Sequence, residues 1–94
     1  MSALPRPATP RLLADLGKGQ RARVVALDEA GVATPFAAGE IERRLVEMGV
    51  VEGAEIEILH EGFPGRDPIA VRVDEHVLAL RRSEARAIQI ALLA

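Results

Sequence analysis

Residues 43 to 58, RRLVEMGVVEGAEIEI, begin in one periodicity and end in another. Ile41, Leu45 and Met48 recur at i, i+4 and i+7, within an arc of roughly 60° on a helix, so Glu40 to Met48 is predicted as one amphipathic helix. After Gly53, Ala54, Ile56 and Ile58 alternate with Glu55 and Glu57, the period of a strand with one face in a core and one in water. Only a few residues, from Gly49 to Gly53, separate the two. A helix must therefore stop at one glycine and a strand start at the other, the first glycine suiting the left-handed position that closes many helices. A structural role for Gly49 and Gly53 outweighs a functional one, and Leu45 and Met48 read as core.

The remaining segments repeat the strand pattern. Around Leu13 and Leu16 a short apolar turn precedes a first strand from Gln20 to Leu27, where Ala22, Val24 and Ala26 alternate with Arg21, Arg23 and Val25. DEAGVATPFAAG, residues 28–39, has no period and is long for a connection inside a small domain. GFPGRDP is a dense turn signal before a strand from Ile69 to Val73. DEH, 74–76, is a tight reversal, and VLALRR, 77–82, is the fourth strand. Ser83 is the expected N-cap of a single helical turn in SEARA, and Ile88, Ile90 and Leu92 would face the core from a fifth strand.

Five short antiparallel strands, one helix and one helical turn predict a mainly β fold, a small barrel whose closure removes exposed edges. A chain of 94 residues holds one domain, burying about 60–65 % of its unfolded surface around one core. Pro5, Pro7 and Pro10 break the first ten residues, so residues 1–10 are expected as a flexible tail and 11–94 as the domain.

Composition excludes several functions. With 12 Lys and Arg against 14 Asp and Glu, the net charge of −2 lacks the basic excess that nucleic acid demands. The absence of cysteine removes disulfides, thiolate metal sites and thiol nucleophiles, and is compatible with a reducing compartment. No apolar run approaches the roughly 20 residues of a membrane helix, so direct membrane insertion is not expected and a cytoplasmic location is. GKGQ and GFPG lack the Walker spacing and are turns first. A polyproline groove needs Tyr and Trp, and there are none.

His60 and His76, near Glu61, Asp74 and Glu75, are the only histidines. They lack the close ligand repeat of a metal site and offer no catalytic set, so no metal ligand, no cofactor and no enzymatic residue is assigned. Six residues are candidates for partner contact. Arg43 and Arg44 flank the helix, and Arg81, Arg82 and Arg86 gather near the helical turn. The bland reading of these arginines is a solvated, self-neutralising surface; the functional one is a basic patch for an acidic protein face. Phe63 is the sixth candidate; it and Phe36 otherwise cover the rim of the core.

RRLVEMGVVEGAEIEIL followed by DPIAVRVDEHVLALRRSEARAIQI resembles the ferrous-iron transport protein A (FeoA) family. The matching positions are Arg44, Leu45, Met48, Gly49 and Gly53, then Asp67, Pro68, Leu78, Ala79, Leu80, Arg81, Glu84, Ala85 and Ile88; the likeness runs from Leu13 to Ile90. Two departures stand out. Glu52 occupies a common proline position, which should soften that turn, and the 28–39 loop is longer than usual.

The resemblance implies an SH3-like small β-barrel and a cytosolic accessory role in bacterial ferrous-iron uptake, exerted on the membrane GTPase-transporter FeoB. It implies no catalysis. Similar domains form the C-terminal module of metal-dependent transcriptional repressors, so a metal-sensing regulatory module, carrying transition metal ion binding, is the alternative. No helix-turn-helix precedes the barrel, so the chain resembles the free-standing form. Weak homo-oligomerisation through a strand edge is a third expectation.

Overall fold

The computed structural model describes residues 11–30, 32 and 37–93. The expected tail over residues 1–10, and Phe36 with it, lie outside the described residues.

Six strands and two helices follow in the order β1 (Arg11–Leu12), β2 (Arg21–Leu27), α1 (Glu40–Glu47), β3 (Glu55–Glu61), β4 (Ile69–Val73), β5 (His76–Leu80), α2 (Arg82–Ala85) and β6 (Ile88–Leu93), with a 3-10 turn over Leu13–Asp15 after β1. All pairings are antiparallel and the strand order is β1-β6-β2-β3-β4-β5. The five strands β2 to β6 match the five expected segments. β1 was not anticipated: two residues are too few to carry a period, and pairing with β6 alone defines it (Arg11 opposite Ile90, Leu12 opposite Gln89).

Alternation along the strands decides the core. Ala22 and Val24, Ile56 and Ile58, Ile69, Val71 and Val73, and Ile88 and Ile90 are buried from four strands, and Ile41 and Leu45 of α1 close over them with Leu13 and Leu16. Leu92 packs partly buried against the same cluster, and so does Met48.

The glycine-bounded reversal is tightly bonded. Gly49 lies at φ 90°; its N–H donates to the Val46 carbonyl (3.0 Å) and the Val50 N–H donates to the Leu45 carbonyl (2.9 Å). This is a Schellman closure, completed by apolar contact between the fully buried Leu45 and Val50. Four residues on, the Gly53 N–H donates to the Val24 carbonyl at 2.8 Å and the Ala54 N–H to the Val51 carbonyl at 3.0 Å, so bonds hold the turn on both sides of Glu52.

Two expectations are corrected. First, the sheet is not closed by strand pairing: among the described residues β1 and β5 each have a single neighbour, so one long edge remains at β5. Second, Ser83 does not cap α2. The cap lies two residues earlier, at an extended Arg81 whose N–H donates to the Glu84 carboxylate (3.0 Å), and the helix starts at Arg82. The strand expected to run to Arg82 ends at Leu80, since Arg81 already serves as the N-cap of α2 with its N–H engaged by Glu84.

The 28–39 connection is tied back at its described parts. Gly39 precedes α1 without a side-chain acceptor. Instead the Glu29 carboxylate accepts the Glu42 N–H (3.2 Å) while the Glu42 carboxylate accepts the Glu29 N–H (3.2 Å). A residue distant in sequence thus satisfies one of the orphan donors of the first turn.

Candidate partner-binding surface

Arg82 occupies the corner where β3, α2, the 3-10 turn and the 62–68 loop converge. Its side chain is 18 % exposed. Its guanidinium donates to the carbonyls of Ala14 (2.6 Å), Leu16 (3.2 Å) and Arg66 (2.7 Å) and to the Glu61 carboxylate (2.6 Å), while its backbone N–H donates to Asp67 (3.0 Å). The planar fork of arginine reaches several acceptors that an ammonium could not hold together. Arg82 therefore links the segment after β1 to the segment after β5, across the gap that no strand pairing closes.

Glu61 is shared. Arg66 Nε donates to it at 2.7 Å, and this bond is the main reason its carboxyl is held below the usual glutamate range; the Lys18 N–H and the charges of Arg66 and Arg82 act in the same direction, against partial burial. Arg66 and Arg82 together fix the loop that carries Phe63. Gly62 closes that loop, its N–H donating to the Pro68 carbonyl at 2.8 Å. A Cβ at Gly62 would stand 2.7 Å from the carbonyl oxygens of Asp67 and Pro68, so only glycine fits there.

On this anchored frame the remaining candidates are distributed unequally. Phe63 is 97 % exposed and covers no core, which corrects the expectation that it seals the rim. Arg81 and Arg86, at the two ends of α2, are exposed, with no side-chain partner among the described residues. Arg44 reaches across from α1 to within 4.0 Å of Glu84. Arg43 is matched on its own helix, bonded to Glu40 (2.6 and 3.2 Å) and 4.0 Å from Glu47. The Glu40–Arg43 hydrogen bond lowers the carboxyl pKa and raises that of the guanidinium. Hence Arg44, Arg81 and Arg86 lie around α2, Phe63 projects from the loop that Arg82 fastens to α2, and Arg43 and Arg82 are engaged internally.

The histidines are not brought together. His60 stands beside Ala70 on one side of β4, and His76 beside Val73 on the other. Among the described residues no group of three or more His, Asp or Glu is placed to hold a metal ion. Depressions lined by Ala14, Asp15, Gly65, Arg66 and Arg82, and by Arg21, Glu55, Ile56, Glu57, Arg72 and Asp74, are open and charged, unlike the enclosed apolar pockets of small-molecule sites. No helix among the described residues is long and apolar enough to cross a membrane.

Sequence reasoning missed the roles of Arg82, Gly62 and Glu29. For Gly62 a signal existed in the dense turn composition of GFPGRDP, but not its close approach to the 67–68 backbone.

Comparison with known proteins agrees with this architecture. A family model described as the FeoA domain matches residues 11–92. The chain is 31 % identical over 81 residues to an Fe(2+) transport protein A/Fe(2+) transporter FeoB fusion protein of Porphyromonas gingivalis, covering 86 % of this chain and 8 % of the length of that relative. The solution structure of a FeoA-like protein from Clostridium acetobutylicum superposes with a TM-score of 0.75 at 30 % identity, over 94 % of this chain and 92 % of that one. FeoA of Stenotrophomonas maltophilia, crystallised with zinc and described as a prokaryotic SH3 domain protein, superposes at 0.70 with 31 % identity, over 86 % and 89 % of the two chains. An SH3-like arrangement of short antiparallel strands with this helix placement and this extent of sequence match leads to one assignment: the chain belongs to the FeoA domain family.

Proposed function

We propose that this chain is a non-catalytic accessory of bacterial ferrous-iron uptake that docks on the cytosolic GTPase portion of a FeoB-type transporter and modulates it. The observation that carries this reading is the anchored surface around α2, where Arg81 and Arg86 present guanidinium groups without a side-chain partner among the described residues and Phe63 projects from a loop held by Arg66 and Arg82. Arginine and a large aromatic on a preorganised frame are the residue types that dominate protein–protein contacts. The fitting partner is an acidic face with an apolar pocket: carboxylates would take the arginines in bidentate bonds, and the pocket would take Phe63. In the Porphyromonas gingivalis relative, transport protein A and the transporter are one chain, which supports physical proximity of the two partners.

Arg44 lies beside this surface and belongs to it, whereas Arg82 acts through the loop and helix it positions. The test is a pull-down of the purified transporter by the full chain in nucleotide-free, GDP-bound and GTP-analogue-bound states. Binding in at least one state, weakened about tenfold or more by combining Phe63→Ala, Arg81→Ala and Arg86→Ala, is expected. Absence of binding in every state, or undiminished binding by the triple variant, overturns the reading.

A further inference from the structure

Among the described residues β5 is the long open edge of the sheet, and its sequence, HVLAL, carries none of the usual devices against edge pairing: no lysine, no proline, no bulge and no inward charge. The opposite edge, β1, is blunted by being two residues long. Which groups of β5 are unsatisfied follows from β4. The Asp74 N–H donates to Glu55 (2.9 Å), on the β3 side. By alternation Val73, Val71 and Ile69 face β5, where they stand opposite His76, Leu78 and Leu80. The N–H and C=O groups of Val77 and Ala79 therefore point away from the sheet. Val77 is 63 % exposed, a large apolar side chain at an unpaired edge.

The residues flanking β5 say what would fit there. Glu75 lies just before the strand and Arg81 just after it. Both are exposed, neither side chain has a partner among the described residues, and Arg81 keeps an extended backbone. Glu75 lies in the turn that enters the strand and Arg81 in the extended residue that leaves it, so the two opposite charges bracket the open edge at its two ends. A strand that enters antiparallel and carries the same sequence would meet this edge with its charges reversed. With a two-fold axis through Leu78, Val77 stands opposite Ala79 of the second copy, and these residues exchange backbone bonds. Leu78 meets Leu78, and Glu75 stands opposite Arg81 at both ends. Arg81 has its own N–H engaged by Glu84, so backbone bonding ends where the ion pairs begin.

We infer that β5 is the seam of a symmetric homodimer in which two copies of this chain join their sheets edge to edge, held in register by reciprocal Glu75–Arg81 pairs. The seam is short, well below the roughly 1,200 Å² of a stable interface, so the dimer forms and dissociates with concentration. A strand of other sequence could add to the same edge, but the mirrored charges favour self-pairing.

Sedimentation of the full chain between about 10 μM and 1 mM tests this, with an average mass that rises towards twice that of the monomer. Glu75→Arg and Arg81→Glu should each need about tenfold more protein to associate, since each turns two attractions into two repulsions. Mixing the two variants in equal amounts should restore association, because every facing pair is then opposite in sign. Val77→Lys, which leaves both charges in place, should abolish it. Circular dichroism melts of all three variants should match the parent. A parent chain that stays monomeric to about 1 mM, a single charge variant that associates as the parent does, or a mixture no stronger than its components overturns the proposal.

Discussion

Arg81 and Arg82 are neighbours in sequence and serve opposite regions. Arg82 belongs to a corner where its backbone N–H and each nitrogen of its guanidinium have an acceptor, drawn from segments as far apart as Ala14 and Asp67. Arg81 belongs to an open edge, beside a strand with one neighbour and an exposed valine. The comparison teaches that a run of arginines is not a single patch: at the corner the charge closes a structure, and at the edge it remains available for another molecule.

Removing Arg82 should have the largest effect. Arg82→Ala leaves the Ala14 and Leu16 carbonyls and part of the Glu61 charge without partners, and should lower stability by about 2–4 kcal/mol in urea unfolding. Arg82→Lys should recover little of this, because an ammonium cannot reproduce the fork. An Arg82→Ala protein as stable as the parent would erase the distinction between corner and edge.

Gly62 tests the same corner from the backbone side. Gly62→Ala places a Cβ against two carbonyl oxygens and should cost about 1–3 kcal/mol, whereas Gly65→Ala, with open space around it, should cost little in the same thermal or denaturant series. Equal effects at the two glycines would mean that the loop yields, contrary to the tight closure described.

Acid should loosen the corner through Glu61. The Glu61 carboxyl has a lowered pKa in the fold, so its contribution is present above the ordinary glutamate value of about 4.3 and is lost as pH falls through the lower folded value. Stability measured across that acid window should fall less steeply in Glu61→Gln than in the parent, from a lower starting level. An identical acid dependence in both proteins would remove Glu61 from the account.

The smallest expected effects lie on the exposed side. Phe63→Ser and Arg81→Ala should each change stability by less than about 0.5 kcal/mol, because both side chains are exposed and neither has a partner to lose among the described residues. A loss several times larger at either position would make that residue part of the frame.

Several elements were legible in the sequence because their signals are local. The Ile41, Leu45 and Met48 period marked α1, Gly49 marked its end, and alternation from Ala54 and from Ile69 marked β3 and β4. Of the candidate site, the arginines and Phe63 were recognised as residues but not sorted by role. Ser83 misled because capping propensity is a preference of residue type, and here the N-cap is Arg81, two positions earlier, with its N–H bonded to the Glu84 side chain. Glu29 went unnoticed because its partner, Glu42, lies 13 positions further along the chain.

By itself, then, the sequence determined which segments are strand or helix and which of their faces are apolar, since burial of neighbouring side chains at a fixed period needs no knowledge of distant residues. Only the tertiary structure decided that Arg82 is an internal clamp while Arg81 before it is exposed, that Gly62 has no room for a Cβ, and that β5 has one neighbour among the described residues. Each of these depends on where groups far apart in the chain converge. Hydrogen bonds are directional and short in range, so their assignment waits for that convergence.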